Sequence, residues 1–104
     1  MIELFQAEWC PHSHRVRQRL TELGVDFVAR QVEADPDARR ALEKVSGQTS
    51  IPTLVDGDVV VTDPAQIIAY LDERFAFRVD AKRHREQAIE EAEELAQPPP
   101  PWPG

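Results

Sequence analysis

The sequence predicts an α/β domain built on a four-stranded mixed sheet with helices on both faces. The first observation is the order of apolar runs and helical repeats, β-α-β-α-β-β-α, which is complete by about Phe75. The second is a helix between the first two strands, which requires a parallel pair joined by a right-handed crossover. The third is Asp56-Gly57, a tight-turn signal that joins the last two strands into an antiparallel hairpin.

The first half of the chain supplies a strand, a helix and a second strand. The apolar run 2–5 suits a buried strand, and Pro11 is favoured at the first position of the helix that follows. Gly24 is a typical residue just past a helix end, and residues 25–32 alternate as a strand would. The inner stripe of this first helix is predicted to hold Ser13, Val16, Leu20 and Leu23.

The second half begins with a helix capped by Asp35 and started by Pro36, which ends at Gly47. The runs 51–55 and 59–61 on either side of the tight turn are the third and fourth strands. Asp63-Pro64 opens the third helix in the same way as Asp35-Pro36 opens the second. The inner stripes are predicted to hold Ala38, Leu42 and Val45 in the second helix, and Ile67, Ile68 and Leu71 in the third.

We assign residues 1–77 to this domain, 78–97 to a helical extension and 98–104 to a Pro-rich disordered tail. The extension has a thin apolar stripe through which it is expected to dock, mainly by Ile89 and Leu95. Basic residues near its start and glutamates near its end oppose the helix dipole, so we expect it to be held loosely or by a partner. The tail is also compatible with a polyproline ligand.

Composition excludes several classes of function. The net charge is −7, which argues against nucleic acid and anionic membranes as partners. The N-terminus has no basic segment and no long apolar run, so neither a signal peptide nor a membrane span is expected. A single cysteine makes no internal disulfide and no Cys-rich zinc site, so a reducing cytoplasm is the expected compartment. We expect a monomer or a weak homodimer.

Cys10, in the stretch "EWCPHSH", lies where the first strand ends and the first helix begins. Free N–H groups and the positive end of the helix dipole stabilise a thiolate there, and the thiolate is the nucleophile in disulfide exchange. The alternative is an inert, buried structural cysteine. His12 and His14 are either acid–base partners of the thiolate or solvated helix residues, and their spacing with Cys10 fits a metal site poorly.

"WCPHS" before a helix, "SIPTL" about forty residues later, and then a hairpin and a new helix are similar to the glutaredoxin branch of the thioredoxin superfamily. The same stretch, residues 1 to about 75, also resembles the N-terminal domain of glutathione S-transferases. The resemblance implies a thioredoxin-like fold in which Cys10 is the nucleophile. Ser13 stands where dithiol members have a second cysteine, which is the monothiol form of the site.

The resemblance also implies which residues meet the substrate. Pro52 corresponds to a cis-proline that faces the nucleophile, and it directs the backbone of Ile51 at a bound thiol peptide. Gln48 corresponds to a contact for the terminal carboxylate of glutathione. The γ-glutamyl end is expected at Thr62 and Asp63, and Trp9, Pro11 and His12 complete the expected substrate contacts around the cysteine.

Several positions depart from the families. Pro64 stands where the transferases have Ser, which removes a hydroxyl and a backbone donor, and Pro11-His12 replaces the Gly-Phe of cluster-carrying monothiol glutaredoxins. We therefore expect a small monothiol oxidoreductase, without a metal, that acts on mixed disulfides between protein clients and glutathione or an equivalent low-molecular-weight thiol. The alternative is a non-catalytic module of the same fold that binds glutathione or a protein.

Overall fold

The computed structural model describes residues 1–96 and confirms the predicted thioredoxin-like α/β fold, a mixed four-stranded sheet with helices. The predicted tail 98–104 lies outside the described residues. The elements in chain order are β1 (Ile2–Gln6), α1 (Pro11–Leu23), β2 (Phe27–Gln31), a 3-10 turn (Pro36–Ala38), α2 (Arg40–Ser46), β3 (Thr53–Asp56), β4 (Val59–Val61), α3 (Pro64–Arg74) and α4 (Ala81–Ala96).

The strand order in the sheet is β2-β1-β3-β4. β1 and β2 pair in parallel, with Leu4 opposite Ala29, whereas β1 and β3 are antiparallel, with Leu4 opposite Leu54. β3 and β4 form the predicted antiparallel hairpin. The loop after β1 leads directly into α1, so the sheet fixes the position at which Cys10 begins that helix.

The main core lies between the sheet and helices α1 and α3. The predicted stripe of α1 is buried throughout, and Gly24 ends the helix at a φ of 67°, in the left-handed region where glycine carries no steric penalty. Phe5 and Leu42 are buried outside the main cluster, in keeping with α2 on the opposite face of the sheet. The main cluster comprises Ile2, Leu4, Val16, Leu20, Leu23, Leu54, Ile67, Ile68 and Leu71.

The second helix differs from the prediction because it is divided into a 3-10 turn and a short α-helix. The division falls at Arg39, which is only 6% exposed and donates to the backbone carbonyls of Glu33, Ala34 and Thr49. Its guanidinium thus ties the β2–α2 connection to the loop before β3. The predicted inner stripe was wrong at Ala38 and Val45, which are exposed, while Leu42 is buried as predicted.

The extension docks through a buried carboxylate on α1. Glu22 is 2% exposed and accepts from Arg85 at 2.5 Å and from Gln18 at 3.2 Å. Its backbone carbonyl accepts from Arg78 N at 3.2 Å. A buried charge of this kind requires partners, and α4 supplies the nearer guanidinium, while Arg19 Nε on α1 lies 3.5 Å from the same carboxylate.

The predicted docking residues were wrong. Ile89 is 56% exposed and Leu95 is 86% exposed, so neither anchors α4 among the described residues. Ala81, in the first turn of the helix, is its buried residue. The contact is therefore polar and lies near the start of the helix, a pattern that an apolar stripe cannot reveal.

No helix within residues 1–96 is both long and apolar enough to cross a membrane.

We predict that Glu22→Gln lowers the free energy of unfolding by roughly 1–3 kcal/mol, because it removes charged hydrogen bonds at a buried site. Urea unfolding measures the change. Glu86→Gln is the matched control, since Glu86 is exposed and its ion pair is an exposed one with Lys82 at 3.8 Å. Equal stability of the two variants would mean that α4 does not depend on the Glu22 carboxylate.

We also predict that a chain truncated after Phe77 folds, because within residues 1–96 the core cluster and the apolar residues packed on it end at Phe75. Truncation exposes Glu22 to water, which hydrates the carboxylate that α4 otherwise satisfies. Far-ultraviolet circular dichroism and cooperative urea unfolding test the prediction. A truncated chain that is unfolded at 25 °C would place the extension inside the domain.

Candidate active site

Cys10 is the N-cap of α1. Its backbone is extended, its carbonyl accepts from His14 N at 3.0 Å, and its sulfur accepts from Ser13 N at 3.5 Å. Pro11 follows at the first helical position, where a missing N–H costs no hydrogen bond. The sulfur therefore takes the place that a serine or aspartate oxygen occupies in an ordinary N-cap.

The pKa of the Cys10 thiol is lowered, although its largest single influence is burial, which raises it. The hydroxyl and N–H of Ser13, the N–H of His12 and the charge of Arg17 act in the opposite direction, and together they prevail. These groups all belong to the first two turns of α1. The helix N-terminus thus favours the thiolate, the form that attacks disulfides.

Ser13 is fully buried, and its hydroxyl has no hydrogen-bond partner within standard geometric limits in the described part of the chain. The hydroxyl is nevertheless close enough to Cys10 to lower the pKa of the thiol. A neutral thiol accepts a hydrogen bond weakly, whereas a thiolate accepts one strongly. The buried, unpartnered hydroxyl is therefore suited to donate to the sulfur once the thiol has ionised.

An open cleft of about 550 Å³ extends from the start of α1 to the start of α3. This volume falls within the range of small-ligand sites. The cleft brings together side chains from three separate segments of the chain. Its lining residues are His12, Arg15, Gln48, Ser50, Ile51, Thr62, Asp63, Pro64 and Ala65.

The two sides of the cleft carry opposite charge. Arg15 and His12 lie on α1, three residues apart and therefore on one helix face, while Asp63 lies at the start of α3. Such an arrangement suits an elongated ligand with an anionic group at one end and a cationic group at the other. Arg15 was not predicted as a contact, and its three-residue spacing from His12 is the sequence signal that could have placed it in the cleft.

Five of the ten predicted site residues line the cleft: His12, Gln48, Ile51, Thr62 and Asp63. Of the others, Cys10, Ser13 and Pro52 are buried, while Pro11 and Trp9, which is 66% exposed, are not among the lining residues. The Ile51–Pro52 peptide bond is cis, the geometry that the resemblance implies. Arg15, Ser50, Pro64 and Ala65 line the cleft without having been predicted as contacts.

The side chain of Gln48 holds its own loop. Its amide nitrogen donates to Ser46 Oγ at 3.1 Å and to Thr53 Oγ1 at 2.9 Å, while its oxygen accepts from Ser50 N at 2.5 Å. These bonds shape the loop that precedes Pro52. The Gln48 side chain thus lines the cleft while it is bonded to its own loop, and Arg15 is a lining residue whose charge suits an anion.

The carboxylate of Asp63 caps α3 by accepting from Gln66 N at 3.0 Å. Pro64, the next residue, has no N–H to offer a ligand.

Within residues 1–96 no group of three or more His, Cys, Asp or Glu side chains is arranged to hold a metal ion.

Residues 2–61, more than half of the chain, match the family model for glutaredoxin. This chain belongs to the glutaredoxin family. It is 30% identical over 60 residues to a glutaredoxin of Pseudomonas aeruginosa, a match that covers 58% of this chain and 71% of that protein.

The glutaredoxin-family chain is also similar to larger proteins. It is 42% identical over 65 residues to a glutathione S-transferase of Triticum aestivum, across 61% of this chain and 29% of that protein. Among solved structures it is similar to glutathione S-transferase 1-6 of Anopheles dirus species B, with a TM-score of 0.66 and 30% identity over 75% of this chain and 37% of that one. The chain thus spans about a third of the transferases that it matches.

We predict that Ser13→Ala raises the pKa of Cys10, because it removes a donor to the thiolate. The rate of alkylation by iodoacetamide rises as the thiol ionises, so its midpoint shifts to higher pH in the variant. Thr21→Ala is the control, since Thr21 is an exposed hydroxyl residue on the same helix and far from the sulfur in sequence. An unchanged midpoint in Ser13→Ala would contradict the role given to this hydroxyl.

Proposed function

We propose that this protein is a cytoplasmic monothiol thiol–disulfide oxidoreductase that uses Cys10 to remove glutathione, or an equivalent low-molecular-weight thiol, from protein clients. The observation that carries the proposal is the Cys10 sulfur at the N-terminus of α1, where two backbone N–H groups and a buried hydroxyl favour its anion. Membership of the glutaredoxin family supports the chemistry. Glutathione-related relatives of both kinds, glutaredoxins and transferases, support the substrate.

In the first step the Cys10 thiolate attacks the glutathione sulfur of a protein–glutathione disulfide. The bond between the two sulfurs of that disulfide breaks, the protein client leaves as a thiolate and takes up a proton, and Cys10 is joined to glutathione. In the second step a glutathione thiolate from solution attacks the glutathione sulfur on Cys10. Glutathione disulfide leaves, and the Cys10 thiolate is regenerated.

The second thiol comes from solution because the chain has one cysteine. Ser13 occupies the position from which a second cysteine would act, and a hydroxyl does not form disulfides. Ser13 instead stabilises the thiolate both as the attacking group of the first step and as the leaving group of the second. A thiol with a lowered pKa is the better leaving group.

The charge of the cleft supports a glutathione-like ligand. Glutathione carries carboxylates at both ends and an ammonium group at its γ-glutamyl end. Arg15 and His12 suit a carboxylate, and Asp63 suits the ammonium group. Ile51 also lines the cleft, and its backbone is the proposed contact for the peptide portion of the ligand.

We expect the protein to reduce a glutathionylated peptide with reduced glutathione as the second substrate. The release of glutathione disulfide is measured in an assay coupled to glutathione reductase. Cys10→Ser abolishes turnover because the attacking sulfur is removed. A wild-type protein that folds, has a reactive thiol and yet shows no turnover with any low-molecular-weight thiol would overturn the proposed activity.

We expect Arg15→Gln to raise KM for the glutathionylated substrate by roughly two- to fivefold, the effect of one exposed charged contact. The pH profile of Cys10 alkylation stays unchanged, since Arg15 is assigned to binding and not to ionisation. Arg40→Gln, an exposed arginine on α2 away from the cleft, is the control. Equal KM values in the two variants would remove Arg15 from the binding site.

A second candidate function is a non-catalytic binding or protein-interaction module. The observation that favours it is the burial of Cys10, which is 6% exposed and therefore also fits a structural cysteine. Pro64 adds to it, because the start of α3 offers one fewer donor for a ligand. In that case isothermal titration calorimetry detects glutathione binding, but Cys10 is alkylated no faster at neutral pH than an ordinary thiol.

A further inference from the structure

Arg17 lies seven residues after Cys10 on α1, about two helical turns away and on the same side of the helix. Its side chain is 18% exposed and turns back toward the loop between β1 and α1. One guanidinium nitrogen donates to Gln6 Oε1, and another lies 3.2 Å from Glu8 Oε1. The guanidinium is thus tied to residues that directly precede Cys10 in the chain.

Gln6 is the fixed end of this arrangement. It is 2% exposed at the end of β1, and its amide nitrogen donates to Gln31 Oε1 on β2 at 3.0 Å. That bond orients the amide so that its oxygen faces Arg17. A buried amide held from both sides leaves the guanidinium little freedom, so the positive charge stays in one place.

We propose that Arg17 is a positioning residue that holds one fixed positive charge beside the β1–α1 loop and thereby increases the fraction of Cys10 present as thiolate. The inference rests on the proposed function, because a thiolate matters most to a protein that attacks disulfides. Gln6 is the residue that fixes Arg17. Glu8, whose side chain is 87% exposed, partly offsets the charge.

Other ionisable side chains lie on the elements around the start of α1. His12, His14 and Arg15 lie on α1, and Asp63 faces the cleft from α3. Burial opposes ionisation and the helix N–H and hydroxyl groups favour it, while Arg17 is the charged side chain that lowers the pKa of the thiol. A single unit charge at the protein surface changes such an equilibrium by roughly three- to tenfold.

The test compares the pH dependence of Cys10 alkylation in Arg17→Gln, Arg17→Lys and wild-type protein. We expect Arg17→Gln to shift the midpoint upward and to lower the rate at pH 6 by roughly three- to tenfold. Arg17→Lys keeps the charge and retains most of the wild-type rate. Arg83→Gln, on the exposed side of α4, leaves the profile unchanged.

A profile for Arg17→Gln that superimposes on the wild type overturns the inference, and so does an equal loss in Arg17→Lys, because hydrogen bonding and not charge would then be responsible. Arg17→Met retains the aliphatic stem and replaces Arg17→Gln if that variant fails to fold. Alkylation requires no glutathione. A shifted profile without turnover on the glutathionylated peptide therefore overturns the proposed function alone, while an unshifted profile with turnover overturns this inference alone.

Discussion

The hydrogen bond from Ser13 N to the Cys10 sulfur is the interaction on which the rest of the site depends. It exists because α1 begins at Pro11, and α1 begins there because β1 ends a few residues earlier against its two neighbouring strands. The sheet therefore determines where the free N–H groups of the helix point. A shift of one residue in the start of α1 would give those donors a different acceptor.

α1 performs three tasks on three of its surfaces. Its N-terminus stabilises the thiolate, and its buried stripe fills the core against the sheet and α3. Near its C-terminus, Glu22 receives α4 through Arg85. Because one rigid element carries all three, the Cys10 sulfur is positioned by the same packing that stabilises the domain. The extension is attached at the opposite end of that helix.

Local sequence patterns and the family resemblance were sufficient to predict most of the fold and five of the residues that line the cleft. The helical repeat from Ser13 to Leu23 and the tight turn at Asp56-Gly57 are contained in short stretches of sequence, and both appear as predicted. Gly47 likewise ends α2 as its position indicates. The candidate nucleophile could be named because a cysteine before a proline-started helix has a specific electrostatic environment.

The buried polar residues that could not be predicted from the sequence depend on partners that lie far away along the chain. Arg39 is buried because carbonyls from two loops surround it, and Glu22 is buried because α4 brings Arg85 to it. A polar residue in a helical repeat is predicted to be exposed when its partner in the folded chain is not known. Gln48 lines the cleft, but the hydrogen bonds from its side chain to its own loop were not predicted.

Cys10 is proposed to attack a glutathione disulfide as a thiolate at neutral pH. Intact-protein mass spectrometry after brief mixing with glutathione disulfide at pH 7 tests it most directly. We predict one glutathionyl group on Cys10 within seconds to minutes and its complete removal by reduced glutathione. A chain that stays unmodified under native conditions, and takes up glutathione only when unfolded, would contradict it.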